Sequence, residues 1–207
     1  MKKIAVFVSG SGSNLQAIID ACESGYISKG KIEIVFSNKE DAYGLQRAKK
    51  HNIKTLFLSP DDFKTREEYD KVVATKMNEL NIDLICLAGY MRILTPVFLD
   101  TFKGKIMNIH PALLPEFGGK GMYGIYVHEA VLKAGKKESG CTVHFVDYGT
   151  DTGPVILQRK VPVLDGDTPE ILQKRVLKQE HLAYKEAIKL FTEDKLEIIQ
   201  KKVKIKE

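Results

Sequence analysis

The sequence predicts an α/β fold: a single Rossmann-like, mostly parallel twisted sheet of about seven strands with helices on both faces. Three observations carry that expectation. Short apolar runs rich in Val, Ile and Phe alternate with amphipathic stretches along the 207 residues. No linker, repeat or low-complexity tract interrupts them, and several amphipathic stretches open on helix-start signals. Strands separated by helices cannot pair as hairpins, so they pair in parallel and need cover on both faces.

The elements follow in order. Ile4–Val8 ends at Ser9-Gly10-Ser11-Gly12, too soon for the apolar region of a leader peptide, and reads as a buried first strand. Leu15, Ile18, Ile19 and Cys22 then share one helix face. Ile32–Ser37 and Thr55–Leu58 supply the next two strands. Thr65-Arg66-Glu67-Glu68 is a capping-box start for a helix on which Tyr69, Val72, Met77 and Leu80 share a face. Leu84–Ala88, Ile106–His110, Thr142–Val146 and Val155–Val163 complete the seven strands. Thr168-Pro169 places proline in the first turn of a long helix ending near Asp194. Lysines alternate with apolar residues in the basic run Lys201–Lys206, as in an edge strand guarded against aggregation.

Composition narrows the class. Apolar residues make up 43% and charged residues 29%, which excludes disordered and fibrous proteins. No run approaches the about 20 apolar residues of a membrane span. The net charge of +5, spread along the chain, suits a small anionic substrate better than nucleic acid. Cys22, Cys86 and Cys141 lack C-x-x-C or histidine spacing. They read as reduced, buried thiols of a cytoplasmic protein with no metal site.

In doubly wound sheets ligands bind beyond the carboxyl ends of the strands, where the strand order reverses. After the first strand, Ser9-Gly10-Ser11-Gly12-Ser13-Asn14 opens directly into a helix. The free N–H groups and dipole there favour a phosphate. The loop lacks the Lys-Ser/Thr of a triphosphate P-loop, and Leu15 stands where a dinucleotide fingerprint needs its third glycine. After the fourth strand, Met91-Arg92-Ile93-Leu94 could clamp a flat heterocycle, although core packing explains it equally well.

The fifth strand ends in Asn108-Ile109-His110-Pro111. With a period of two, Asn108 and His110 face the same way, and buried polar neighbours of this kind need partners. Pro111 fixes His110 in an extended conformation. The imidazole can shuttle a proton, and the amide can donate to an oxygen that gains charge. A carboxylate beside His110 would raise its pKa, and the loop after the sixth strand offers Asp147 and Asp151. Spacing does not choose between them. His144 reads as structural and His51 as a surface residue near a helix end. His128 and His181 have no evident role.

Taken together, these segments closely resemble the phosphoribosylglycinamide formyltransferase family. The likeness rests on Ser9–Gln16, Ala88–Leu94, Asn108-Ile109-His110-Pro111-Ala112-Leu113-Leu114-Pro115, Asp151–Ile156 and Gln179-Glu180-His181. The resemblance implies transfer of a formyl group from 10-formyltetrahydrofolate, the co-substrate, to the amino group of glycinamide ribonucleotide. It assigns Asn108, His110 and Asp151 as the catalytic trio. Gly12, Ser13, Asn14 and Glu180 become substrate-binding residues, and Arg66, Met91, Arg92, Ile93, Leu94 and Asn108 folate-binding ones. Residues 1–207 would form one formyltransferase domain, with a phosphate-binding half (1–100) and a catalytic and folate-binding half (101–207). One departure is Glu116–Gly124, where Gly118 replaces the family's proline and four glycines allow a mobile loop.

In the implied reaction Asn108 and a protonated His110 donate to the oxygen that turns anionic, and Asp151 favours the imidazolium. The rivals are hydrolysis of the same folate and a non-catalytic nucleotide-binding module. The hydrolases carry an additional N-terminal domain and the transfer-RNA formyltransferases an additional C-terminal one, for which this length leaves no room. No nucleic-acid or membrane partner is expected, and the chain reads as a monomer or a homodimer.

Overall fold

The computed structural model describes residues 1–206. Seven strands form one sheet: β1 (Lys2–Val8), β2 (Gly30–Ser37), β3 (Lys54–Phe57), β4 (Leu84–Leu87), β5 (Ile106–His110), β6 (Glu138–Phe145) and β7 (Val155–Pro162). Their order is β3-β2-β1-β4-β5-β6-β7. β1 to β5 run parallel, while β6 and β7 pair antiparallel at one edge. The helices are α1 (Ser13–Glu23), α2 (Tyr43–Lys50), α3 (Arg66–Glu79), α4 (Pro96–Thr101), α5 (Ile125–Lys133) and α6 (Pro169–Thr192).

Period two along β1 divides the core into two layers. Ile4, Val6 and Val8 pack with α1 and α6, whereas Ala5 and Phe7 pack with α3 and α4. The second layer centres on aromatic rings, with Phe7 4.7 Å from Phe36 and 5.8 Å from Phe98. Burying one such side chain stabilises the fold by about 2–3 kcal/mol. On α3 the buried stripe is Tyr69, Val73 and Met77, so Val73 replaces the expected Val72. That spacing of four is the one a straight helix face provides.

The helix starts agree with their sequence signals. Thr65 Oγ1 accepts from the Glu68 N–H at 3.1 Å, but Glu68 returns its bond to the Lys64 N–H, not to Thr65. Thr168 Oγ1 accepts from the Ile171 N–H, with Pro169 opening α6. The end of the chain departs from expectation. Leu196–Ile199 (β8) and Lys202–Ile205 (β9) form a separate antiparallel hairpin, so the lysine-rich run is no edge of the main sheet. Among the described residues, no helix is long and apolar enough to cross a membrane.

The strand order reverses between β1 and β4. Above their carboxyl ends a crevice must open, because the connections leave in opposite directions.

Candidate active site

A cavity of about 840 Å³ occupies that crevice. Ser13, Asn14, Met91, Arg92, Ile93, Leu94, Asn108, His110, Asp151 and Glu180 all line it. Of the residues singled out from the sequence, Gly12 and Arg66 stand outside the lining. Arg66, the first residue of α3, donates from Nη2 to the Ile93 carbonyl at 2.6 Å and so holds the wall segment from behind. Ser9 at the end of β1 does the same from below. Its Oγ accepts from the Met91 N–H at 2.8 Å and donates to Asn38 Oδ1.

At the β1 end, the chain turns through Gly12 with φ 69° and enters α1, whose first-turn amides have no side-chain cap. A Cβ on Gly12 would meet the Gly44 Cα at 2.7 Å, so only glycine permits this approach of loop and α2. Asn14 Nδ2 donates to Glu180 Oε2 at 2.7 Å. Glu180 is 7% exposed, and burial raises its pKa against that single bond.

Farther along the cavity, β5 places Asn108 and His110 on the face opposite the core residues Met107 and Ile109. The His110 Nε2–H donates to the Phe117 carbonyl at 2.8 Å, and Nδ1 lies 3.5 Å from Asp151 Oδ2. Asp151 holds a left-handed backbone, φ 58°, and Oδ2 accepts from the Gly119 N–H at 3.0 Å. The glycine-rich loop therefore touches both groups. Burial lowers the His110 pKa, and the Asp151 carboxylate and Phe117 carbonyl pull it back only in part. Burial thus works against the expected imidazolium, and a neutral ring would carry its proton on Nε2. Burial would raise the Asp151 carboxyl, but the Gly119 N–H that donates to it, and the His110 imidazole beside it that can take up a proton, hold its pKa below the ordinary value. Asp147 takes the turn role instead, accepting from the Gly149 N–H and the Thr152 hydroxyl.

Two histidines belong here that the sequence did not assign to the site. His144 faces Asn108 across the β5–β6 ladder, 2% exposed. Its Nδ1–H donates to the Phe145 carbonyl, so Nε2 accepts from Asn108 Nδ2 at 3.2 Å. His128 on α5 also lines the cavity, 1% exposed and with Nδ1 unpartnered. Burial pushes its pKa down to about 4. The thiols take no part, since burial raises Cys22 to about 11 and Cys141 to about 12.

A mixed polar and apolar cavity at the switch point of a doubly wound sheet defines the class of α/β enzymes that bind nucleotides and cofactors there. Residues 2–188 match the formyl transferase family, and the chain belongs to it. A phosphoribosylglycinamide formyltransferase from Haemophilus influenzae is 47% identical over 198 residues, covering 96% of this chain and 91% of that protein. A glycinamide ribonucleotide transformylase from Symbiobacterium toebii has a structure that superposes with a TM-score of 0.95 at 45% identity, covering 100% of this chain and 95% of that one. The trifunctional purine biosynthetic protein adenosine-3 of Chironomus tentans is 46% identical over 190 residues; this chain spans 91% of its own length but only 14% of that protein. Membership of the family implies a folate co-substrate.

Proposed function

We propose that the chain transfers the formyl group of 10-formyltetrahydrofolate to the amino group of glycinamide ribonucleotide. The observation that carries this reading is one cavity joining the uncapped start of α1 and a buried carboxylate to the Asn108–His110–Asp151 cluster. The likeness to relatives named for this reaction supports it.

The phosphate sits on the amides of Gly12, Ser13 and Asn14, and Glu180 holds the glycinamide end. Met91–Leu94 and the Asp147–Asp151 loop hold the folate ring between apolar walls, with Arg66 supporting that wall through the Ile93 carbonyl. Asn108 donates to the formyl oxygen as it gains charge. His110 Nδ1, unprotonated beforehand, takes the proton released by the attacking amine and passes it to the departing folate nitrogen. Asp151 steadies the ring while it is charged. The protein acts as one domain in which residues 1–100 supply the phosphate loop and 101–207 the reacting cluster.

A two-substrate assay tests the reaction. Loss of the formyl group only when glycinamide ribonucleotide is present supports it. Equal loss without the amine, or none at all, excludes it.

A further inference from the structure

The phosphate loop contains no lysine or arginine, yet a cation from another helix grips it. Arg47, in the last turn of α2, donates from Nε to the Ser11 carbonyl at 2.8 Å and from Nη1 to Gln16 Oε1 at 3.2 Å. Its guanidinium lies 4.9 Å from the Tyr43 ring centre, which limits its freedom. Two of the five guanidinium N–H donors are committed to these bonds, which fix the charge against the loop.

The bond to Ser11 also sets the direction of a peptide plane. In a trans peptide the carbonyl and the next N–H point opposite ways. Tying the Ser11 carbonyl to α2 therefore turns the Gly12 N–H away from α2. The neighbouring plane is set alike, since the Gly10 carbonyl accepts from the Gly44 N–H at 3.0 Å. Ser11 and Ser13, on either side of Gly12, line the cavity.

Arg47 is itself supported. Gln16 Nε2 donates to His51 Nε2 at 3.1 Å and to Asp20 Oδ1 at 2.8 Å, while His51 Nδ1 pairs with Glu23 at 2.7 Å. A chain of side chains across α1 and the end of α2 thus terminates on the loop carbonyl.

We infer that Arg47 is a positioning residue of the anion subsite, holding the Ser11–Gly12 peptide in its phosphate-binding direction and supplying the positive charge that the loop lacks. This rests on reading Gly12–Asn14 as the phosphate subsite. It predicts a loss that depends on the ligand's phosphate.

The test measures binding of glycinamide ribonucleotide by calorimetry without folate, and binding of its phosphate-free ribonucleoside by amide chemical shifts. The proteins are the wild type, Arg47→Met and Arg47→Lys. Arg47→Met should weaken ribonucleotide binding about tenfold to hundredfold, the range for a charge-assisted hydrogen bond, with ribonucleoside binding unchanged within about twofold. Arg47→Lys keeps the charge without the planar fork and should fall between the other two. It also serves if Arg47→Met does not fold. Ribonucleotide binding equal to wild type in both variants, or equal losses for both ligands, overturns the inference. Wild-type protein that binds the ribonucleotide without formylating it overturns the proposed reaction and leaves the subsite test intact.

Discussion

Asn108 Nδ2 lies 3.2 Å from His144 Nε2, and the two residues face each other directly across an antiparallel ladder. The bond fixes which way the Asn108 amide faces, because His144 Nδ1–H is committed to the Phe145 carbonyl and leaves Nε2 as the acceptor. In the proposed reaction His144 would orient the Asn108 amide as a donor.

Replacing His144 with Phe should lower kcat about tenfold or more, the worth of roughly one oriented hydrogen bond. KM for the ribonucleotide should stay within about twofold. Steady-state kinetics separates the two, and an unchanged kcat would show that Asn108 needs no such partner.

Asp151→Asn is a clean exchange because asparagine tolerates the left-handed backbone at this position. Turnover should fall by about 10²–10³ with substrate binding nearly intact. Removing the carboxylate disfavours the imidazolium, so the acid limb of the pH–rate profile, set by His110, should move to lower pH. A profile that stays in place would separate Asp151 from His110.

His128 links stability to acid. At neutral pH it is uncharged in both folded and unfolded chains. Between its ordinary 6.5 and about 4 the unfolded chain takes up a proton that the folded chain resists, so stability falls as pH drops through that window. Such a shift is worth about 3 kcal/mol. In urea titrations His128→Gln should lose stability less steeply than wild type between pH 7 and pH 4, and parallel curves would defeat the assignment.

Glu180 should show a conflict between stability and binding. Burial raises its pKa, so the stability linked to its proton is present at low pH and lost as pH rises through the folded value. At pH 7.5 the buried carboxylate is a burden that Glu180→Gln removes while keeping an acceptor for Asn14. Melting at that pH should rise by about 2–4 °C for each kcal/mol regained, and KM for the ribonucleotide should increase about tenfold. A lower melting point would mean that the charge already stabilises the fold.

Much of this was legible from residue order. Alternating apolar and amphipathic runs exposed the sheet, and period two along β5 put Asn108 and His110 on one face. His144 was hidden because runs separated by helical stretches signal parallel pairing, while β6 turns back antiparallel and brings His144 opposite Asn108. Spacing left Asp147 and Asp151 undecided; the family resemblance pointed to Asp151, and in the folded loop Asp147 caps the turn while Asp151 lies beside the imidazole. The C-terminal hairpin escaped because Gln200 and Lys201 take positive φ in its turn, where Asn-Gly would have been the readable sign.

The strand order has a consequence for substrate length. In the proposed reaction the loop after β1 holds the phosphate and the pair that ends β5 reacts, with only β4 between them. Neighbouring strands lie about 4.8 Å apart, so the two ends of the acceptor are held roughly 10 Å from each other by hydrogen-bonded backbone. The sheet works as a ruler. An amine one or two bonds too near its phosphate, or too far, meets His110 at the wrong depth however well each end fits.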